Sequence, residues 1–117
     1  MNEPDRPWAT LDPIVHAPSR LAILTVLSMV EEADFRYLLY ATGLTKGNLS
    51  AHMSKLEAAG YLTVEKSFRG KIPMTVCRLT PSGRQALDRY RHTMRQLLDI
   101  GEEASHGMTA AEAGGAT

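Results

Sequence analysis

Cysteine is nearly absent: Cys77 is the only one in 117 residues, so no internal disulfide can form and no cysteine pair is available to a structural metal. The four histidines, His16, His52, His92 and His106, have no spacing that puts two on one face, which leaves no metal site to propose. Long apolar runs are missing as well. Nothing approaches the roughly 18 apolar residues of a membrane span, and MNEPDRPWAT sets acids and prolines where a secretory leader needs a basic start and an apolar stretch. A cytoplasmic location without a membrane partner is the expectation. There is also no glycine-rich phosphate loop, and no Ser, His and Asp pattern in a strand-turn-helix setting. The chain is therefore expected to be no enzyme and to need no cofactor.

An excess of either charge is missing too, since 13 Lys and Arg balance 13 Asp and Glu. That balance is an average over unlike parts. The ends hold Glu3, Asp5, Glu102, Glu103 and Glu112 against Arg6 alone. Between Gly43 and Arg84, by contrast, Lys46, Lys55, Lys66, Arg69, Lys71, Arg78 and Arg84 face only Glu57 and Glu65. The middle of the chain is cationic, as a surface that meets phosphates has to be. With 44% hydrophobic and 22% charged residues, the chain has the material for the core of one domain.

The apolar period places the elements. After Pro18, SRLAILTVLSMV supplies a broad stripe of Leu21, Ile23, Leu24, Leu27, Met29 and Val30 and predicts a buried helix. FRYLLYAT predicts a shorter helix with Phe35, Leu38 and Leu39 inward and Gly43 as its left-handed cap. LTKGNLSAHMSKLEAAG predicts a third, from Thr45 as N-cap to Gly60 as terminator, joined to the second by a tight turn. Past Gly60 the period changes. YLTVEKS and MTVCRL alternate about the basic turn FRGKIP, with Gly70 at its tip, and the pair reads as a β-hairpin. Thr80 and Pro81 open a last helix, expected over 81–100, and the small, polar EEASHGMTAAEAGGAT reads as a disordered tail over 101–117. The expected division is an arm over 1–10, one domain over 11–100, and that tail.

Three helices, a hairpin with a basic tip and a long helix follow the order of a winged helix-turn-helix, an α+β fold that is mostly α. The run TGLTKGNLSAHMSKLEAAGYLTVEKSFRGKIPMTVCRLTPSGRQAL resembles the DNA-binding core of the MarR and ArsR-like winged-helix transcriptional regulators. The likeness extends over roughly residues 12–98 and is carried by LSAHMSKLEAAGYL followed by LTPSGRQAL. Where many relatives carry Arg at the wing tip, this chain has RGKIP, with Arg69 and Lys71 flanking the glycine. The resemblance implies a two-stranded wing, a long C-terminal dimerisation helix and a regulator that binds duplex DNA, with repression the common outcome. Whether a small-molecule effector exists is left open.

Residues of the third helix fit that implication. Leu49, Met53 and Leu56 recur at helical spacing, while Lys46, Gly47, Asn48, Ser50, Ala51, Ser54 and Lys55 make a face that is small, polar or cationic and free of acids. A helix lying in a major groove needs such a face, because small side chains let it approach and cations meet phosphates. Asn48 and Ser50 are the candidate base readers, and Lys46 and Lys55 suit phosphates, with Thr45 and Ser54 beside them. Arg69 and Lys71 are the candidate wing contacts. His52, at the edge of the apolar stripe, is expected to bond within the domain, and Cys77 reads as a small buried hydrophobe. The competing reading is a winged-helix module for protein partners, which the acid-free face argues against.

The last helix sets Leu87, Tyr90, Met94 and Leu97 on one stripe, with Arg84, Asp88, Arg91 and Arg95 off it. Either that stripe packs back on the first helix or it meets its counterpart in a two-fold dimer. The sequence reading takes the dimer, assisted by the N-terminal WATLDPIV, because a helix of about 20 residues spans roughly 30 Å and outruns a small core. Such a homodimer would present two recognition helices to a palindromic operator.

Overall fold

A computed structural model describes the chain from residue 6 to residue 103. A 3-10 turn at Pro7–Thr10 leads into α1 (Pro18–Ser28). There follow β1 (Ala33–Asp34), α2 (Phe35–Thr42), α3 (Lys46–Ala58), β2 (Leu62–Arg69), β3 (Ile72–Leu79) and α4 (Pro81–Glu103). The anticipated winged-helix order is the one observed.

Local chemistry accounts for the helix ends. The Asp34 carboxylate accepts the Tyr37 amide at 2.7 Å to start α2, and Gly43 closes that helix at φ 70, where a side chain would be strained. Thr45 Oγ1 accepts the Asn48 amide at 3.2 Å, so the expected N-cap of α3 is in place. At the start of α4 the Thr80 hydroxyl accepts the Gly83 amide at 2.9 Å and donates to the Gly60 carbonyl at 2.6 Å. The Thr80 amide donates in turn to the Tyr61 carbonyl at 3.1 Å. One threonine therefore caps α4 and fastens it to the turn that leaves α3.

Ile23, Leu24 and Leu27 of α1, Leu38 of α2 and Leu49, Met53 and Leu56 of α3 form the core with Leu62, Cys77 and Leu87. Met29 departs from the expected stripe. It follows the last residue of α1 and is 70% exposed. The sheet also holds a strand that the sequence pattern did not announce. Ala33 and Asp34 pair antiparallel with Cys77 and Val76, giving the order β1-β3-β2. Two residues are too few to show an alternating period, so only the tertiary pairing defines this strand.

One boundary moves. α4 continues through Glu103, so residues 101–103, read as the beginning of the tail, are helical, with Gly101 inside the helix. The remainder of the expected tail, 104–117, lies outside the described residues, as do residues 1–5 of the arm expected over 1–10. The described part of the arm is the turn at Pro7–Thr10, which lies against α4.

Two residues of the expected dimer stripe belong elsewhere. Leu87 is fully buried and Tyr90 nearly so, both within the domain's own core. The Tyr90 hydroxyl pairs with His16 Nδ1 at 2.9 Å. α1 and the segment before it fill the side of α4 on which these residues sit, so the first half of α4 is satisfied inside one protomer. Met94 is half-buried against the edge of the same core, Leu97 is half-buried, and Leu98 and Ile100 are exposed.

Candidate nucleic-acid interface

α3 divides as its sequence indicates. Leu49, Met53 and Leu56 are buried, while Thr45, Lys46, Gly47, Asn48, Ser50, Ala51, Ser54 and Lys55 are exposed. All six candidate residues of this segment therefore reach solvent. Thr45 has a structural duty as well, since its hydroxyl is engaged by the Asn48 amide. The cap leaves the Asn48 side-chain amide free, and Asn48 and Ser50 stand in the first two turns of the helix with the cationic Lys46. The free amides and positive dipole end of that first turn add to the attraction for phosphate.

The wing continues the surface. Arg69 pairs with Ile72 across the hairpin, so Gly70 and Lys71 form the tight turn, and Gly70 adopts φ 63. Arg69 and Lys71 are exposed at the tip. Among the described residues, no acid lies within ion-pair distance of Lys46, Lys55, Lys66, Arg69 or Lys71. Arg78 differs. Its guanidinium bridges Glu65 at 3.0 Å and Glu32 at 3.1 Å, which ties the three strands together and removes both carboxylates from the competition for phosphates. Arg78 thus contributes to the cationic count of the sequence without being a free cation.

The remaining reactive groups are structural. His52 Nδ1 lies 3.3 Å from Arg20 Nη1, and Arg20 Nε donates to the Ile14 carbonyl at 2.7 Å, so His52 bonds inside the domain as expected. Cys77 is fully buried, and its thiol is pushed up to about 11, first by burial and then by the negative charges of Glu57 and Asp34. It is a protonated core residue at neutral pH. Tyr61 donates its hydroxyl to the Asp12 carboxylate, and this hydrogen bond, with burial, raises the phenol above its usual value.

From the sequence, Lys66 enters only the charge balance and Phe68 enters as part of the basic turn, and neither stands among the candidate contacts. Both are exposed, Phe68 by 69%, and each lies an even number of residues from the core positions Leu62 and Val64 on the same strand. The alternation that identifies the strand carries them to the face that α3 packs beneath. Two apolar positions before it suffice to carry the alternation to Phe68.

Among the described residues, no helix is long and apolar enough to cross a membrane, and no three His, Cys, Asp or Glu side chains converge to hold a metal ion. The fold built around this cationic face is shared with known proteins. An uncharacterized protein of Methanocaldococcus jannaschii is 35% identical over 85 residues, which span 72% of this chain and 91% of that protein. A transcriptional regulator homologue from Pyrococcus horikoshii OT3 superimposes with a TM-score of 0.70 at 29% identity, over 74% of this chain and 86% of that one. The transcriptional repressor CouR, solved bound to a 23-mer DNA duplex, shares the fold with a TM-score of 0.66 at 20% identity, over 81% of this chain and 66% of its own. The family model described as a winged helix DNA-binding domain matches residues 19–98. That match takes in every element from α1 to most of α4, and the fold and the cationic face agree with it. The chain belongs to the winged helix DNA-binding domain family.

Proposed function

We propose that this protein is a transcriptional regulator that binds duplex DNA sequence-specifically as a homodimer and represses by occupying a palindromic operator. The observation that carries the reading is the exposed, acid-free face of α3 continued by unpaired cations of the wing. α3 enters the major groove, where Asn48 and Ser50 hydrogen-bond base edges and Lys46 and Lys55 meet phosphates, with Thr45 and Ser54 on the same surface. Arg69 and Lys71 reach phosphates or the adjacent minor groove. That CouR, of the same fold, is a repressor bound to a DNA duplex supports duplex binding and repression for this chain.

The dimer rests on the far end of α4. At 23 residues this helix is about 34 Å long, and only its first half is covered by its own domain. Since Leu87 and Tyr90 are in the core and Met94 packs at its edge, the contact falls to the open side of Met94, to Leu97 and Leu98, and to Trp8, which is 57% exposed on the turn that lies against α4. Two-fold pairing there presents two α3 helices to half-sites about 34–36 Å apart.

The test is selection of bound duplexes from a random pool at low salt, followed by sedimentation of the free protein at about 50 µM, a concentration at which weak pairing of this kind is populated. Enrichment of a palindrome and the mass of a dimer are expected. Failure to retain any duplex would turn the reading to a module for protein partners. A monomer would sink the dimer and the palindrome together.

A further inference from the structure

We propose that Phe68 is a minor-groove contact of the wing, an apolar side chain that seats against deoxyribose and base edges while Lys66 and the tip cations hold the flanking phosphates. The inference rests on the functional reading above and adds to it a residue that reads groove shape.

Its first support is placement. Leu62 and Val64 face the core, where Leu62 is buried with Leu56 of α3, and strand alternation puts Lys66 and Phe68 on that same face further out along β2. Phe68 pairs with Pro73, so its cross-strand neighbour is a ring without a backbone donor, and the two make a small apolar ridge on the outer wing. Arg69 and Ile72 pair on the opposite face. The wing therefore does not present a uniform basic tip. The face it shares with α3 carries Lys66, Phe68 and Pro73.

Its second support is exposure in a charged setting. Phe68 is 69% exposed although the domain has an apolar core to put it in, and its sequence neighbours are cations and a serine. With the exposed Pro73 across the strand pair, Phe68 forms a contiguous apolar patch rimmed by cations rather than a lone exposed side chain, and such a patch marks an interaction surface. Charge complementarity identifies what covers it. Lys66, Arg69 and Lys71 have no acidic partner among the described residues, and the only acid of β2, Glu65, is held by Arg78 at 3.0 Å. A polyanion whose minor groove is walled by deoxyribose C–H groups matches both properties, and apolar side chains wedged at base steps beside cationic contacts are a means of gripping that groove. Direct hydrogen-bond readout is limited there, so such a contact selects on width and deformability.

The experiment compares the full chain with Phe68→Ala, Phe68→Leu and Phe68→Lys on the selected duplex. Phe68→Ala is expected to weaken binding roughly tenfold, as burial of an aromatic side chain implies, while leaving the slope of log affinity against log salt unchanged. Phe68→Leu should keep most of the affinity. Phe68→Lys should steepen the slope by about one unit, since it adds a phosphate contact. Hydroxyl-radical cleavage locates the contact: sugars protected across the minor groove by the parent should become exposed in Phe68→Ala, with the major-groove footprint of α3 retained. The position is at an exposed hairpin, and circular dichroism checks that the variants fold. Parent-like affinity and sugar protection in Phe68→Ala, with the parent bound specifically, would overturn the inference and leave the regulator reading standing. Absence of duplex binding by the parent would overturn both.

Discussion

Replacing Gly83 by alanine tests how α4 is joined to the chain that leaves α3. Gly83 lies in the first turn of α4, and a Cβ built on it would sit 2.1 Å from the Tyr61 carbonyl oxygen, 2.8 Å from its carbon and 2.9 Å from Leu79 Cδ1. Ordinary contact begins near 3.4 Å, so α4 and the chain leaving α3 would have to separate by more than an ångström. The atom in the way is backbone and cannot rotate aside. It also accepts the Thr80 amide at 3.1 Å, in the same turn where Thr80 donates to Gly60. Overpacking costs about 1–3 kcal/mol and the weakened hydrogen bond about 1 kcal/mol, against about 1 kcal/mol regained from the better helix propensity of alanine. A net loss of about 1–3 kcal/mol is expected. Urea unfolding followed by far-UV circular dichroism measures it, with Gly47→Ala as the control. Gly47 is helical with nothing within 4 Å, so alanine there should stabilise by up to about 1 kcal/mol. If Gly83→Ala were as stable as the parent, the close approach of α4 to Tyr61 would not exist in solution.

Three further outcomes are expected. Changing Arg69 and Lys71 together to alanine should weaken binding to all duplexes alike and flatten the salt slope by about two units; an unchanged slope places the tip away from DNA. Alanine at Asn48 or Ser50 should cost about 1–3 kcal/mol at the selected site and broaden sequence preference, and unaltered selectivity in both variants removes them from base readout. Above pH 9 the protein should lose stability. The folded Cys77 thiol titrates at about 11 against 9.0 unfolded, so its protonated form contributes fully below pH 9, and that contribution disappears between pH 9 and 11. Two units correspond to about 2–3 kcal/mol. The raised Tyr61 phenol adds a loss of the same sign at higher pH. Denaturation midpoints of the parent and Cys77→Ala across this range check the sign, since the variant should lack the thiol's share of the decline.

Periodicity and caps are local properties, and for that reason they were legible. A three- to four-residue apolar spacing marks α1 and α3, glycines at Gly43 and Gly60 end α2 and α3, Thr45 starts α3, and alternation about Gly70 makes the hairpin. The polar face of α3 follows from the same spacing, which is why its candidate residues all came out exposed. Three things needed the tertiary structure. Whether Leu87 and Tyr90 met a second protomer or their own core depended on how much of α4 the segment around Val15 and α1 covers, and an amphipathic stripe looks the same in either case. β1 exists only because β3 offers Cys77 and Val76 as partners, and a strand of two residues has no period to detect. The division of the cations was likewise spatial. Glu32 and Glu65 lie far apart in sequence, yet the sheet brings both to Arg78, leaving the charge of the wing and α3 uncompensated. The glycine of LTPSGRQAL stood in the quoted motif without a reason. Its reason is the Tyr61 carbonyl, which the fold sets where a side chain would have been.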